Sequence, residues 1–207
     1  MPPIASPSPK PPDLVIASGN AGKIREFSRL LDGLGLKVHP QPEDMEVEEN
    51  GNTFKENAQL KARTVALATA SWALADDSGL SVAALGGAPG VHSARYADGD
   101  DARIHRLLAE LKRIDATETT DRRAVFTAAL ALANPSGDVV LEVEGHCAGS
   151  ILMEPRGEGG FGYDPIFRVD ATGLSYAEMS SSQKAQIGHR GQAFAALRPR
   201  LQALMQP

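Results

Sequence analysis

Ser18-Gly19-Asn20-Ala21-Gly22-Lys23 lies between the apolar run Leu14-Val15-Ile16-Ala17 and a helical pattern. Strand, glycine turn and helix make an anion-binding arrangement, because the first N–H groups of a helix have no internal partner and Lys23 adds a full charge beside them. A phosphate group fits that chemistry, and so does an ordinary strand-to-helix turn with a surface lysine. The segment is not a Walker loop. Two residues, not four, separate its first glycine from Gly22-Lys23, and Ile24 stands where a metal-binding Ser or Thr is needed.

Further clusters carry chemistry of their own. Asp76-Asp77-Ser78-Gly79 follows an apolar strand. Adjacent carboxylates point to opposite sides of an extended chain, so one can be structural while the other faces a cleft, where it could hold magnesium or orient a water. An Asp-rich turn is the plainer alternative. Glu46, Glu48 and Glu49 are either a solvated acidic loop or a source of metal ligands. Lys61 falls on the helical stripe of Phe54, Ala58 and Val65, where it either snorkels to solvent or works. Gly159-Gly160-Phe161-Gly162-Tyr163-Asp164-Pro165 sets an aromatic among glycines, free to stack on a flat ligand or to bury itself in a turn. Lys184 and His189-Arg190 offer donors to base carbonyls or phosphate, or are surface charge.

The elements that must position these groups can be read from periodicity. Ile24, Phe27, Leu30, Leu31 and Leu34 predict a helix after the first strand, closed by Gly33 and Gly35. Thr53-Phe54-Lys55-Glu56 has capping-box form and predicts a helix to about Ala70, its inner face running Phe54, Ala58, Lys61, Val65, Ala68. Trp72 to Asp76 reads as a short strand ending in a turn at Asp77-Ser78-Gly79, and Ile104 to Ile114 as a helix. Alternation from Arg122 to Ala133, a turn at Asn134-Pro135-Ser136-Gly137, and renewed alternation from Val139 predict a long antiparallel hairpin. A strand around Ile166 to Val169 and helices from about Ser181 and Gln192 follow, with Pro199 expected to kink or restart the last. The whole is an α/β chain with an elongated mixed sheet.

Composition narrows the partners. A net charge of −5 without any Lys/Arg block argues against nucleic acid, while a few local cations suffice for a small anion. Cys147 is the only cysteine, which excludes an internal disulfide framework. No apolar run approaches the ~20 residues of a membrane span. Residues 1–12 hold six prolines and read as a disordered leader, leaving 13–207 as one folded unit.

In order and spacing the clusters resemble the inosine triphosphate pyrophosphatase family, from about Leu14 to about Leu204. The motifs are Ser18 to Lys23, Thr53-Phe54-Lys55-Glu56-Asn57-Ala58, Ala75-Asp76-Asp77-Ser78-Gly79-Leu80, Gly90-Val91-His92-Ser93-Ala94-Arg95-Tyr96, Gly160 to Pro165, and Ser181-Ser182-Gln183-Lys184 through His189-Arg190-Gly191. The resemblance implies two lobes around a central cleft, a homodimer, a cytoplasmic setting, and Mg2+-dependent hydrolysis of ITP, dITP and XTP to monophosphate and pyrophosphate. It implies triphosphate binding by Ser18, Gly19, Asn20, Ala21, Gly22 and Lys23 with Lys61, a proton acceptor and metal ligand in Asp77, and a second ligand in Glu49. Ser78 would touch substrate, Phe161 would stack on the purine beside Gly162, Tyr163 and Asp164, and Lys184, His189 and Arg190 would contact base and sugar-phosphate. The leader, Ser181-Ser182-Gln183 in place of commoner acidic residues, and Pro199 depart from the family pattern. A pyrophosphatase for pyrimidine or modified nucleotides and a nucleotide-binding regulator without turnover are the competing readings.

Overall fold

The computed structural model describes residues 13–205; the expected leader lies outside the described residues. Its strands form one six-stranded sheet, in the order β2-β1-β3-β4-β5-β6. The strands are β1 (Asp13–Ala17), β2 (Lys37–Pro40), β3 (Trp72–Val82), β4 (Arg123–Ala133), β5 (Val139–Ile151) and β6 (Phe167–Val169). β1 runs parallel to β2 and β3, and the other pairings are antiparallel, which makes the sheet mixed as expected. The hairpin of β4 and β5 stands with its predicted turn at Asn134 to Gly137. β2, four residues long at an edge and ending in proline, gave no periodic signal.

Two lobes share the long strands. In the first lobe α1 (Ala21–Leu30) and α5 (His189–Met205) cover one face, burying Leu14, Ile16, Leu74, Leu130 and Leu132 with Phe27, Phe194, Leu197 and Leu201. α2 (Phe54–Thr69) covers the other face, where Val15, Ala17, Ala73, Ala75, Ala129 and Ala131 meet Ala58, Ala62 and Val65. The small residues on this face let the helix lie close to the sheet. The second lobe gathers Leu80, Val82 and Phe126 with α3 (Asp100–Arg113), β6 and Tyr163, Ile166 and Tyr176. β3 therefore feeds one core through Leu74 and another through Leu80, with Asp76 to Gly79 between them.

Several local expectations change. The chain does not turn at Asp77-Ser78-Gly79; β3 continues to Val82, because β4 keeps pairing with it through Val82↔Ala124 and Leu80 and Val82 re-enter a core. The inner face of α2 is Asn57, Ala58, Lys61, Ala62, Val65 and Ala66, with Ala68 turned to solvent. Thr53 Oγ1 caps Glu56 N as the motif requires, but the Glu56 carboxylate receives Asn52 N. α5 begins at His189 and runs through Pro199 without a break. Burial of Ala193, Phe194, Leu197 and Leu201 along it outweighs the ~3 kcal/mol that an interior proline costs. The helix lies hard against β5 because Gly145 has no side chain; a Cβ there would run into His189 O and Ala193 N. α4 (Ser181–Ile187) starts with a full capping box between Ser180 and Gln183.

Candidate active site

The cleft follows from strand lengths. β1 makes its last pair at Ala17↔Ala75, while β3 runs on for seven residues with β4 alone beside it. The edge of β3 at Asp76 to Gly79 is thus open, at the C-terminal end of parallel strands, where α/β sheets hold ligands. The same spot is the start of α1, which β1 delivers through Ser18 to Asn20.

Strand alternation sends the two aspartates to opposite faces. Asp76 shares the parity of Leu74 and points to the α1/α5 side, where its Oδ2 receives Lys23 Nζ at 2.7 Å, Arg190 Nε at 3.3 Å and Ser78 Oγ at 3.0 Å. Arg190 also donates to Ser78 Oγ at 2.6 Å and to Glu26 Oε2 at 3.1 Å, so all three of its nitrogens are engaged. Burial pushes the Asp76 carboxyl up, but Lys23 and Arg190 together outweigh it and hold the group well below the usual carboxylate range. Burial lowers Lys23, with the Asp76 charge opposing.

Asp77 shares the parity of Ala75 and meets α2. Lys61, 8% exposed, bridges Asp77 Oδ1 at 2.8 Å and Glu49 Oε1 at 2.6 Å. The snorkelling alternative for this lysine falls, since its ammonium is enclosed between two carboxylates. Glu49 is further gripped by Arg95 at 3.0 Å, while Glu46 and Glu48 face solvent. Burial raises the Asp77 carboxyl above its ordinary value, with Lys61 offsetting part of the rise. Burial opposes the Lys61 charge but its two carboxylates win, raising it; burial would raise Glu49, but Lys61, with Lys23 and Arg95, outweighs it and lowers the group. Asp77 Oδ2 and Asp76 Oδ1 are buried without a partner among the described residues.

A cavity of about 200 Å³ opens on the Asp76 side, walled by Lys23, Ser78, Phe161, His189 and Arg190, with Asn20, Gly22 and Asp164 at its margin. Phe161 leans across to α1: a Cβ on Gly22 would lie 3.0 Å from its ring. Lys184 and Arg190 stand over the same ring at 5.6 and 5.5 Å. The loop that carries Phe161 is pinned by two carboxylates, Asp164 Oδ2 receiving Phe161 N at 3.0 Å and Asp100 Oδ2 receiving Gly162 N at 2.7 Å. Lys184 is paired to Asp164 at 2.6 Å and lines a second cavity behind the ring. Tyr163 is buried with its hydroxyl on Ser93 O, so it supports the wall from within. His189 is 3% exposed, neutral because burial and Arg190 drive its pKa well down, and its Nε2 has no partner among the described residues.

The structure brings the predicted residues into one region with a division of labour. Lys23 pairs with Asp76, and Lys61 with Asp77 and Glu49. The turn before α1 is partly self-satisfied, since Asn20 Oδ1 receives Gly22 N at 2.8 Å and Lys23 N at 3.1 Å and Ser18 Oγ receives Asn20 N at 3.1 Å. Ser18, Gly19 and Ala21 do not reach the cavity wall. Sequence reasoning missed Asp100, Arg103 and Phe126, which line the cavity. Gly99-Asp100 before a helical pattern was an available signal for the first; Phe126 read only as one member of an alternating strand.

Fold and site define a two-lobed α/β protein whose central cleft pairs buried carboxylates with lysines beside an aromatic-walled pocket. The chain belongs to the Ham1 family, whose model matches residues 14–200. It is 64% identical over 192 residues to a dITP/XTP pyrophosphatase of Prochlorococcus marinus (strain MIT 9313), covering 93% of this chain and 92% of that protein. It is 61% identical over 193 residues to one of Synechococcus sp. (strain CC9311), covering 93% and 91%. A solved HAM1 protein from Coxiella burnetii superposes with a TM-score of 0.83 at 43% identity over 92% of this chain and 98% of that one. The resemblance read from the six motifs is borne out.

Proposed function

We propose that this protein is a nucleoside-triphosphate pyrophosphatase that hydrolyses non-standard purine nucleotides, ITP, dITP and XTP, to the monophosphate and pyrophosphate. The observation that carries the mechanism is Asp77: a buried carboxylate, raised in pKa, with one free oxygen, beside Lys61 and Glu49 on the open edge of β3.

The carboxylates also suit magnesium. Two acidic oxygen donors completed by substrate phosphates form a usual Mg2+ site, and Asp77 Oδ2 is an orphaned acceptor that a cation would satisfy. Among the described residues no three His, Cys, Asp or Glu side chains gather as a ready-made metal cage. Asp77 and Glu49 would hold the ion, which when bound supplies charge neutralisation to phosphate oxygens.

The chain's own groups then divide the reaction. Asp77 orients a water for in-line attack on the α-phosphorus and takes its proton, a task its raised pKa favours. Lys61 and Lys23, each already holding a carboxylate, exchange those contacts for phosphate oxygens and stabilise the departing pyrophosphate. Phe161 stacks on the purine. His189 faces the 6-position, and Arg190, tied to Asp76, Glu26 and Ser78, holds the wall rigid. A 6-oxo group satisfies a donor there, whereas a 6-amino group leaves it unpaired.

The protein works as a homodimer in the cytoplasm on this reading. No helix among the described residues is long and apolar enough to cross a membrane. Sedimentation equilibrium checks the mass.

The decisive assay is pyrophosphate release from ITP, XTP, dITP, ATP, GTP, UTP and dTTP, with and without Mg2+. Magnesium-dependent release with ITP and XTP far ahead is expected; equal rates across the panel, or preference for UTP and dTTP, would reject the assignment.

A further inference from the structure

The ring of His189 is held by two aromatic neighbours, of which Phe126 also lines the cavity and Tyr176 does not. Phe126 stacks on it at 4.8 Å between centroids and 15° between planes. Tyr176, fully buried and absent from the cavity wall, packs against both rings, 5.4 Å from Phe126 and 5.7 Å from His189 between centroids, with its hydroxyl 3.2 Å from Nδ1. The same hydroxyl receives the His189 backbone N–H at 3.2 Å.

The hydrogen-bond inventory of the Tyr176 hydroxyl favours one tautomer. A tyrosine hydroxyl has one proton to give and two lone pairs to receive with. One lone pair is taken by the His189 backbone N–H. The hydroxyl proton then has two possible acceptors: imidazole Nδ1, or the buried Cys147 thiol, which lies within reach of Tyr176. Sulfur is the weaker acceptor, so giving the proton to Nδ1 is the better arrangement; giving it to Sγ instead would leave the second lone pair to receive Nδ1–H. A neutral imidazole that accepts at Nδ1 carries its single proton on Nε2. Nε2 is the ring atom left buried and unpartnered, and His189 lines the cavity.

We propose that Tyr176 is a positioning residue for base selection: its hydroxyl locks the His189 proton onto Nε2, so that the cavity presents a fixed donor to a carbonyl oxygen and nothing to an amino group. The proposal rests on the reading of this cavity as a 6-oxopurine site. Without the Tyr176 hydroxyl, both tautomers become available. In the other one, Nε2 is an acceptor that an exocyclic amine satisfies.

The test pairs a spectrum with a kinetic ratio. In protein labelled with 15N at histidine, the His189 ring, assigned by its loss in His189→Gln, is expected to show a protonated Nε2 and an unprotonated Nδ1 in the wild type. Tyr176→Phe is expected to mix the tautomers and narrow the ratio of kcat/KM for ITP over ATP by roughly tenfold, the scale of one mispaired buried donor. A merely structural role would lower both nucleotides together and leave the ratio. A wild-type spectrum with the proton on Nδ1 overturns the proposal without any variant, even if Tyr176→Phe does not fold. An unchanged ratio in a folded Tyr176→Phe protein overturns it too. If wild-type protein does not favour ITP over ATP at all, the substrate assignment fails instead, and the tautomer spectrum still reports separately on Tyr176.

Discussion

At the scale of single residues, the adjacent aspartates answer to different physics. Asp76 is a counter-ion: remove it and Lys23 and Arg190 are left together with one carboxylate fewer. Breaking such a buried pair costs about 3–5 kcal/mol. Asp76→Ala is expected to lower the urea midpoint strongly, at the scale of several kcal/mol, and to lose activity through the fold. Asp77→Asn keeps the shape and one hydrogen bond to Lys61 but cannot take a proton. It is expected to retain a near-wild-type midpoint while kcat falls about 10²- to 10⁴-fold, the usual contribution of a general base. The acid limb of kcat/KM gives an independent check. As the proposed proton acceptor Asp77 must be ionised to act, and its folded pKa is raised, so activity is expected to be lost as pH falls through a value above the ~3.9 of an ordinary aspartate. An acid limb that persists unchanged in Asp77→Asn would assign it to another group.

At the scale of elements, position matters more than propensity. α1 is where β1 stops and β3 does not, and its first turn touches the opposite lobe through Gly22 and Phe161. Alanine is the better helix former by about 1 kcal/mol. Yet a methyl at Gly22 sits 3.0 Å from the Phe161 ring and from Asn20 Oδ1. Gly22→Ala is therefore expected to leave the melting temperature nearly unchanged and to raise KM several-fold, measured by steady-state kinetics with ITP. α5 makes the reverse point. Pro199 persists in its interior because the buried face of the helix outweighs the missing bond. Pro199→Ala should stabilise by about 2 kcal/mol, the ~3 kcal/mol helix penalty less the unfolded-state entropy that proline saves. A lower denaturation midpoint in that variant would show that the proline is accommodated by a bend the packing needs.

For the whole molecule, pH couples the cleft to stability. His189 is neutral in the folded chain because its pKa is far below the ~6.5 of an unfolded histidine. Below pH ~6.5 the unfolded state therefore binds a proton that the folded state does not, and folding stability falls as pH falls. The slope attributable to this group reaches at most about 1.4 kcal/mol per pH unit. Urea midpoints between pH 7.5 and 5.5 should decline in the wild type and decline less in His189→Gln. An identical decline in both would place the missing proton elsewhere.

Much of this was legible along the chain. Lys61 on an apolar helix stripe, two consecutive carboxylates after an alanine-rich strand, and an aromatic between glycines are local oddities that cost stability unless a site needs them. Parity alone sent Asp76 and Asp77 to opposite faces, because alternation is a property of any extended strand. The sequence by itself thus determined the helices and hairpin, the family, and several of the side chains at the cleft, Lys23, Phe161, His189 and Arg190 among them, but not Asp100, Arg103 or Phe126. Only the tertiary structure decided that β3 runs through Asp77 to Gly79 instead of turning, since that depends on β4 continuing to pair beside it. Tertiary contacts likewise gave each lysine its carboxylate, placed Lys184 behind Phe161, and set Tyr176 against His189. Those are contacts between residues tens of positions apart or on separate elements. Periodicity reports which face of an element is buried and is silent about what it is buried against.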